Sequence, residues 1–216
     1  MPTDLIGVYL AELETAVRNI SRDRIRSAVD LLFQAWEARR TVFIIGNGGS
    51  AATASHMMND LNKGTVVSGM ARFRSIALTD NVPLMTAVGN DVDYAEVFVE
   101  PLRSFLEPAD VLVAISTSGN SPNIVRAVKY AQEHGAKVIG FCGEPGGKLA
   151  AMADVKVSIP ASRIGQQEDG HMILDHVISA ALRERIEQCG IDRSLGPVLA
   201  GSGGMTSLSK DGAWGS

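Results

Sequence analysis

The sequence predicts an α/β protein, a doubly wound five-stranded parallel sheet with an N-terminal helical segment. Three observations carry the expectation. Short apolar runs rich in β-branched residues recur along the chain. They alternate with stretches of helical periodicity. Two of the runs end in Gly/Ser-rich loops.

The first 40 residues read as helix, with one apolar stripe through Val8, Leu10, Leu13, Ala16, Val17 and Ile20 and a second through Ile25, Ala28, Val29, Leu32, Phe33 and Trp36. No glycine separates the stripes, so a helical hairpin and one bent helix are both open. Residues 41–45 (Thr-Val-Phe-Ile-Ile) form a continuous apolar run before Gly46, the pattern of a strand buried on both faces. A helix follows over about 50–62, then a second strand over 75–78. Residues 93–106 read as helix, with Pro101 marking a break or a fresh start. A third strand spans 110–115, a helix 121–133 stops at His134-Gly135, and a fourth strand spans 137–141. A short helix over 147–152, a fifth strand over 155–159 and a long helix over 166–188, ending at Gly190, complete the pattern. These elements make one domain over residues 1–190, with residues 1–40 packing on it or on a neighbouring subunit. Residues 191–216 hold six Gly and five Ser with no sustained apolar period, which predicts a flexible tail.

Composition narrows the function. A hydrophobic content of 45%, a charged content of 20% and a net charge of −4 describe an ordinary globule without the basic field that nucleic acid or anionic membrane requires. Aromatic residues are 5%, too few for base-stacking platforms. No apolar run approaches the ~18 residues of a membrane span, and no secretory signal opens the chain. Two cysteines, Cys142 and Cys189, suit a reducing cytoplasm better than a disulfide scaffold.

The chemistry concentrates in two strand-to-helix loops, residues 46–50 (Gly-Asn-Gly-Gly-Ser) and 116–121 (Ser-Thr-Ser-Gly-Asn-Ser). In a parallel sheet both emerge at the carboxyl edge, where ligands bind. Helix starts present free N–H groups and a positive dipole end to an anion. Ser116, Thr117, Ser118 and Ser121 add four hydroxyl donors. A dinucleotide fingerprint is a weak match, because Ser50-Ala51 follows Gly48-Gly49 and no clear acidic residue stands at the end of a second strand about 20 positions later. No phosphate-binding G-x-x-x-x-G-K-[ST] motif is present, so no nucleotide is expected.

Residues 46–52 (Gly-Asn-Gly-Gly-Ser-Ala-Ala), 87–91 (Ala-Val-Gly-Asn-Asp), 115–123 (Ile-Ser-Thr-Ser-Gly-Asn-Ser-Pro-Asn) and 146–150 (Gly-Gly-Lys-Leu-Ala), in that order, resemble the motifs of the sugar isomerase (SIS) fold, flavodoxin-like in architecture, and above all those of the phosphoheptose isomerases. The resemblance covers about residues 5–190. It implies interconversion of sedoheptulose 7-phosphate and D-glycero-D-manno-heptose 7-phosphate by a cytoplasmic homotetramer with sites at subunit interfaces and a divalent metal, zinc above others. It places substrate contacts on Asn47, Gly48, Gly49, Ser50, Asn90, Asp91, Ser116, Thr117, Ser118 and Ser121. An isomerase or epimerase of another phosphosugar, and a non-catalytic adaptor role in replication initiation, are the alternatives the same fold allows.

An enediol isomerisation needs a carboxylate base and a group that exchanges protons with oxygen. His56 and Asp60 are four apart on one helix face. The last helix offers Glu168, Asp169, His171, Asp175 and His176. Helical spacing puts Glu168, His171 and Asp175 on one face and Asp169 with His176 on another, so spacing alone does not choose a set. The resemblance does choose: it implies metal ligands at His56, Asp60, Glu168 and His176, a base at Asp60 and a proton shuttle at His176. This chain has Asp60 where the family has Glu, and Glu168 where the family has Gln. The shorter Asp60 arm and the added charge leave the base as Asp60 or Glu168.

Overall fold

The computed structural model describes residues 4–194. Two helices open the chain, α1 (Leu5–Arg18) and α2 (Arg22–Glu37). Asp4 caps the first by accepting from the Gly7 amide and Ser21 caps the second by accepting from the Arg24 amide. The stop at Asn19 and the new cap at Ser21 make this a pair of helices instead of one bent rod.

The strands are β1 (Thr41–Gly46), β2 (Arg74–Ala77), β3 (Val111–Ser116), β4 (Lys137–Gly143) and β5 (Val155–Ile159). They pair in the order β2-β1-β3-β4-β5, all parallel. Each strand read from the sequence is present within two residues of its expected ends. The remaining helices are α3 (Gly49–Asn59), α4 (Val82–Asp91), α5 (Val99–Phe105), α6 (Pro122–Glu133), α7 (Gly147–Met152) and α8 (Ile164–Ser194).

Four departures from the sequence reading have local causes. Helix α4 was not anticipated, because Gly89 and Asn90 interrupt its apolar period. Its start signal was nonetheless there: Asn81 caps the Leu84 amide, and Pro83 occupies the first turn. The expected helix over 93–106 is a 3₁₀ turn (Tyr94–Glu96) followed by α5, and Pro101 falls in the first turn of α5, where its missing N–H has no intrahelical partner to lose. The helix after the first loop ends in a π-helical turn, Asp60–Gly64. Helix α8 runs through Gly190 to Ser194. The tail expected over 191–216 lies outside the described residues from 195 onward.

Alternate strand residues build two cores. On one face Val42, Ile44, Val113, Ile115 and Phe141 pack with α2, α3 and α8 through Leu32, Trp36, Ala54, Met57, Leu174 and Ile178. On the other, Phe43, Ile45, Leu112 and Ala114 pack with α4 to α7 through Val88, Leu102, Ile124, Ala127 and Leu149. No helix among the described residues is long and apolar enough to cross a membrane. The strand order reverses between β1 and β3, which sets a crevice at the carboxyl ends of those two strands.

Candidate functional site

Both motif loops open onto that crevice. Gly46 pairs with Ile115 in the sheet, so residues 47–50 and 116–121 leave it side by side. The two helices they feed, α3 and α6, have no side-chain cap, unlike α1, α2 and α4. The first amides of α3 are therefore left to a ligand or to water, whereas at α6 Pro122 has no N–H and the Ile124 amide donates to Asn123 Oδ1 at 2.9 Å. In the second loop Ser116 Oγ accepts from the Gly119 amide at 3.2 Å and Ser118 Oγ from the Asn120 amide at 3.3 Å. Each hydroxyl keeps its own hydrogen to donate. The loop is held from behind, with the Gly143 amide bonded to Thr117 O and the Leu149 amide to Gly119 O.

Asn47 is more committed than the motif suggests. It exchanges two 2.9 Å amide hydrogen bonds with buried Asn123, and the Tyr94 hydroxyl donates to its Oδ1 at 3.2 Å. Asn123 thus ties the first loop to the start of α6, a role that sequence reasoning missed. Asn90 and Asp91 end α4, exposed and bonded to each other at 2.7 Å.

The ionisable residues expected from the sequence lie along the seam between α3 and α8. Glu168 lies against Gly49, where a Cβ atom would fall 2.5 Å from Oε1. Seven residues further along each helix, His56 meets Asp175 and His176. The two helices therefore run parallel from the crevice, and the seven residues span about 10 Å. Donor atoms of His56, Asp60, Asp175 and His176 all lie within 4.8 Å of one another. His56 Nε2 is 3.1 Å from His176 Nε2 and 3.6 Å from Asp60 Oδ2. Three of the four ligands implied by the resemblance are in this group. Glu168 is not, and Asp175 is.

Those donors fit a divalent cation. Ligand bonds of about 2.0–2.2 Å in a tetrahedral site put donor atoms about 3.3–3.6 Å apart, close to the observed 3.1 and 3.6 Å. Two imidazoles and two carboxylates match the charge and softness of zinc or a neighbouring transition metal. Asp175 is fully buried with Oδ2 lacking a hydrogen-bond partner, while its Oδ1 accepts from Ser179 at 3.3 Å. Burial, reinforced by the nearby Asp60 charge, pushes its carboxyl up to about 6. The signal for Asp175 in the sequence was an acid in the apolar stripe of α8, alongside Leu174, Ile178 and Leu182.

His171, one turn earlier, is also fully buried, its ring stacked on Phe141 and neither nitrogen meeting a partner at hydrogen-bond geometry. Burial pushes the imidazole down to about 4, against a weaker upward pull from the Cys142 backbone. The unfolded residue takes a proton below about 6.5 and the folded one only below about 4, so the unfolded state binds more protons between those values. Acid therefore favours unfolding through this group. A His171→Leu chain should lose about 2 kcal/mol less stability than the parent between pH 7 and pH 5. Asp175 is present in both chains and cancels in the difference. Urea melts at the two pH values measure it, and parallel losses would count against a buried neutral imidazole.

Residues 8–143 match the family model described as SIS domain. The phosphoheptose isomerase of Syntrophotalea carbinolica is 34% identical over 189 residues, 86% of this chain and 96% of that one. The phosphoheptose isomerase of Mycobacterium bovis is 40% identical over 154 residues, 71% of this chain and 78% of that one. Among solved structures, the phosphoheptose isomerase of Neisseria gonorrhoeae superposes with a TM-score of 0.78 at 32% identity, covering 85% of this chain and all of that one. A phosphoheptose isomerase from Francisella tularensis gives 0.79 at 27% identity, covering 85% of this chain and 99% of that one. A crevice at the sheet's turning point, the ordered motifs around it and relatives matched over 78% or more of their own length lead to one conclusion: the chain belongs to the phosphoheptose isomerases of the SIS-domain family.

Proposed function

We propose that the chain is an aldose–ketose isomerase of phosphosugars, converting sedoheptulose 7-phosphate to D-glycero-D-manno-heptose 7-phosphate. The observation that carries the reading is a single seam with two ends. Uncapped helix starts and hydroxyls lie at one end, and imidazoles with carboxylates lie about 10 Å along it. An extended sugar phosphate spans such a gap.

The phosphate binds at Ser116, Thr117, Ser118 and Ser121, while Gly48, Gly49 and Ser50, at the uncapped start of α3, line the crevice beside the sugar chain. Asn47, held by Asn123, and the Asn90–Asp91 pair take sugar hydroxyls. A carboxylate, Asp60 or Glu168, removes the proton from C1 of the ketose as the C2 oxygen gains a proton, giving the enediol. The same carboxylate returns the proton to C2 as the C1 hydroxyl gives up its own. His176 carries the proton that the two oxygens exchange. His56, Asp60 and His176 would hold the metal, for which zinc is our assignment. When bound, it supplies positive charge against the oxygens that gain electron density. The adaptor alternative is disfavoured by the closeness of the two imidazoles to paired carboxylates.

A homotetramer accords with exposed Leu5, Ile6 and Leu10 on α1 and with the groove of about 680 Å³ that Ile25, Val29, Ile173 and Val177 line between α2 and α8. Light scattering should return the mass of four chains. A cytoplasmic setting accords with the free thiols Cys142 and Cys189. The decisive assay offers C5, C6 and C7 ketose phosphates with and without added zinc. Turnover highest for the C7 substrate is expected, and no isomerisation of any of them would overturn the reading.

A further inference from the structure

Asp175 occupies a place where a carboxylate needs a reason. It sits among Leu174, Ile178 and Leu182 on the inner side of α8, with no exposed surface. Ser179 donates to its Oδ1, and Oδ2 has no hydrogen-bond partner. The ionisable groups whose donor atoms face it are those of Asp60, His56 and His176. An unpaired buried carboxylate costs several kcal/mol, and a cation held jointly with those three side chains removes that cost. Its donor atoms are within 4.8 Å of theirs.

Glu168 has a different environment. Its carboxylate packs against Gly49, the first residue of α3, at the positive end of that helix. Seven residues separate it from Asp175 on α8, about 10 Å of helix. Two carboxylates, Asp60 and Asp175, already balance a doubly charged ion beside two neutral imidazoles.

We propose that Asp175 is the fourth protein ligand of a divalent cation held by His56, Asp60 and His176, and that Glu168 takes no part in holding it and faces the sugar. The second half rests on the isomerase reading; the first does not, because metal occupancy is read without turnover. With the ion bound through Asp175, Glu168 is a carboxylate left available for proton transfer at the crevice end of the seam.

The test uses full-length protein stripped with a chelator and titrated with zinc alone. Asp175→Asn should weaken zinc binding at least about 100-fold, and Glu168→Gln should leave it unchanged. Zinc should raise the thermal midpoint of the parent and of Glu168→Gln, and not that of Asp175→Asn. The proposal is overturned if Asp175→Asn binds zinc like the parent, or if Glu168→Gln loses it. Should Asp175→Asn fail to fold, cobalt(II) in the parent and in Glu168→Gln decides the matter. Identical visible spectra support the assignment, and an altered spectrum in Glu168→Gln defeats it. Absence of isomerase activity in the parent would remove the sugar-facing role of Glu168 while leaving the zinc results to stand.

Discussion

Replacing His176 with Asn is expected to lower kcat/KM for sedoheptulose 7-phosphate about 10³-fold. The imidazole is exposed on α8 and makes one contact of note, the 3.1 Å approach to His56 Nε2. Its loss creates no cavity, so the thermal midpoint of the metal-free protein should hold. The hydroxyls proposed to hold the phosphate are unaffected, so KM should change far less than kcat. That split separates a group acting on the reacting oxygens from one that only binds substrate. Asparagine can still donate and accept a hydrogen bond but cannot carry a proton near neutral pH. Excess zinc should therefore fail to restore the rate even where it restores occupancy. Retention of more than about a tenth of the parent kcat would remove His176 from proton transfer.

The second large effect is structural and concerns Gly119. Its φ of +62° lies in the left-handed region, and a Cβ there would fall 1.9 Å from the Gly146 carbonyl oxygen. That oxygen is backbone at the entry to α7, and the Leu149 amide bonds back to Gly119 O, so neither side can yield independently. Gly119→Ala should cost at least about 3 kcal/mol and lower the thermal midpoint by about 6–12 °C. It should also weaken phosphate binding, because relief of the clash requires residues 116–121 to move off α7. Gly48→Ala is the internal comparison. Its φ is +54° and its ψ −122°, a region that side-chain-bearing residues rarely adopt, with nothing within 4 Å of the added carbon, so only a backbone cost of about 1–3 kcal/mol applies. Equal melting of the two variants would show that the second loop is not braced by α7.

Much of this architecture is legible in local pattern. Val42 to Ile45, Val111 to Ile115 and Val138 to Phe141 are continuous apolar runs because both faces of their strands are covered, and such runs need no knowledge of partners. The two hydroxyl- and glycine-rich loops are contiguous in the chain, so their chemistry could be read directly. Helix α4 was hidden by Gly89 and Asn90, and the 3₁₀ break before α5 was hidden because Tyr94 to Leu106 keeps an apolar count without a steady phase. Asn123 gave no sign of bracing Asn47, since 76 positions separate them.

The sequence by itself determined the wound parallel sheet, the loops at its carboxyl edge and the two helices that carry the ionisable groups, because each depends on periodicity or composition within one short segment. Only the tertiary structure decided which carboxylates stand with the imidazoles. Neighbouring residues on a helix point about 100° apart, so Asp175 and His176 belong to different faces of α8 and come together only because the seam with α3 runs between them. Glu168 was drawn instead to the start of α3. That outcome is set by how the two helices are rotated against each other, a quantity fixed by packing on the sheet and absent from the spacing of either helix alone.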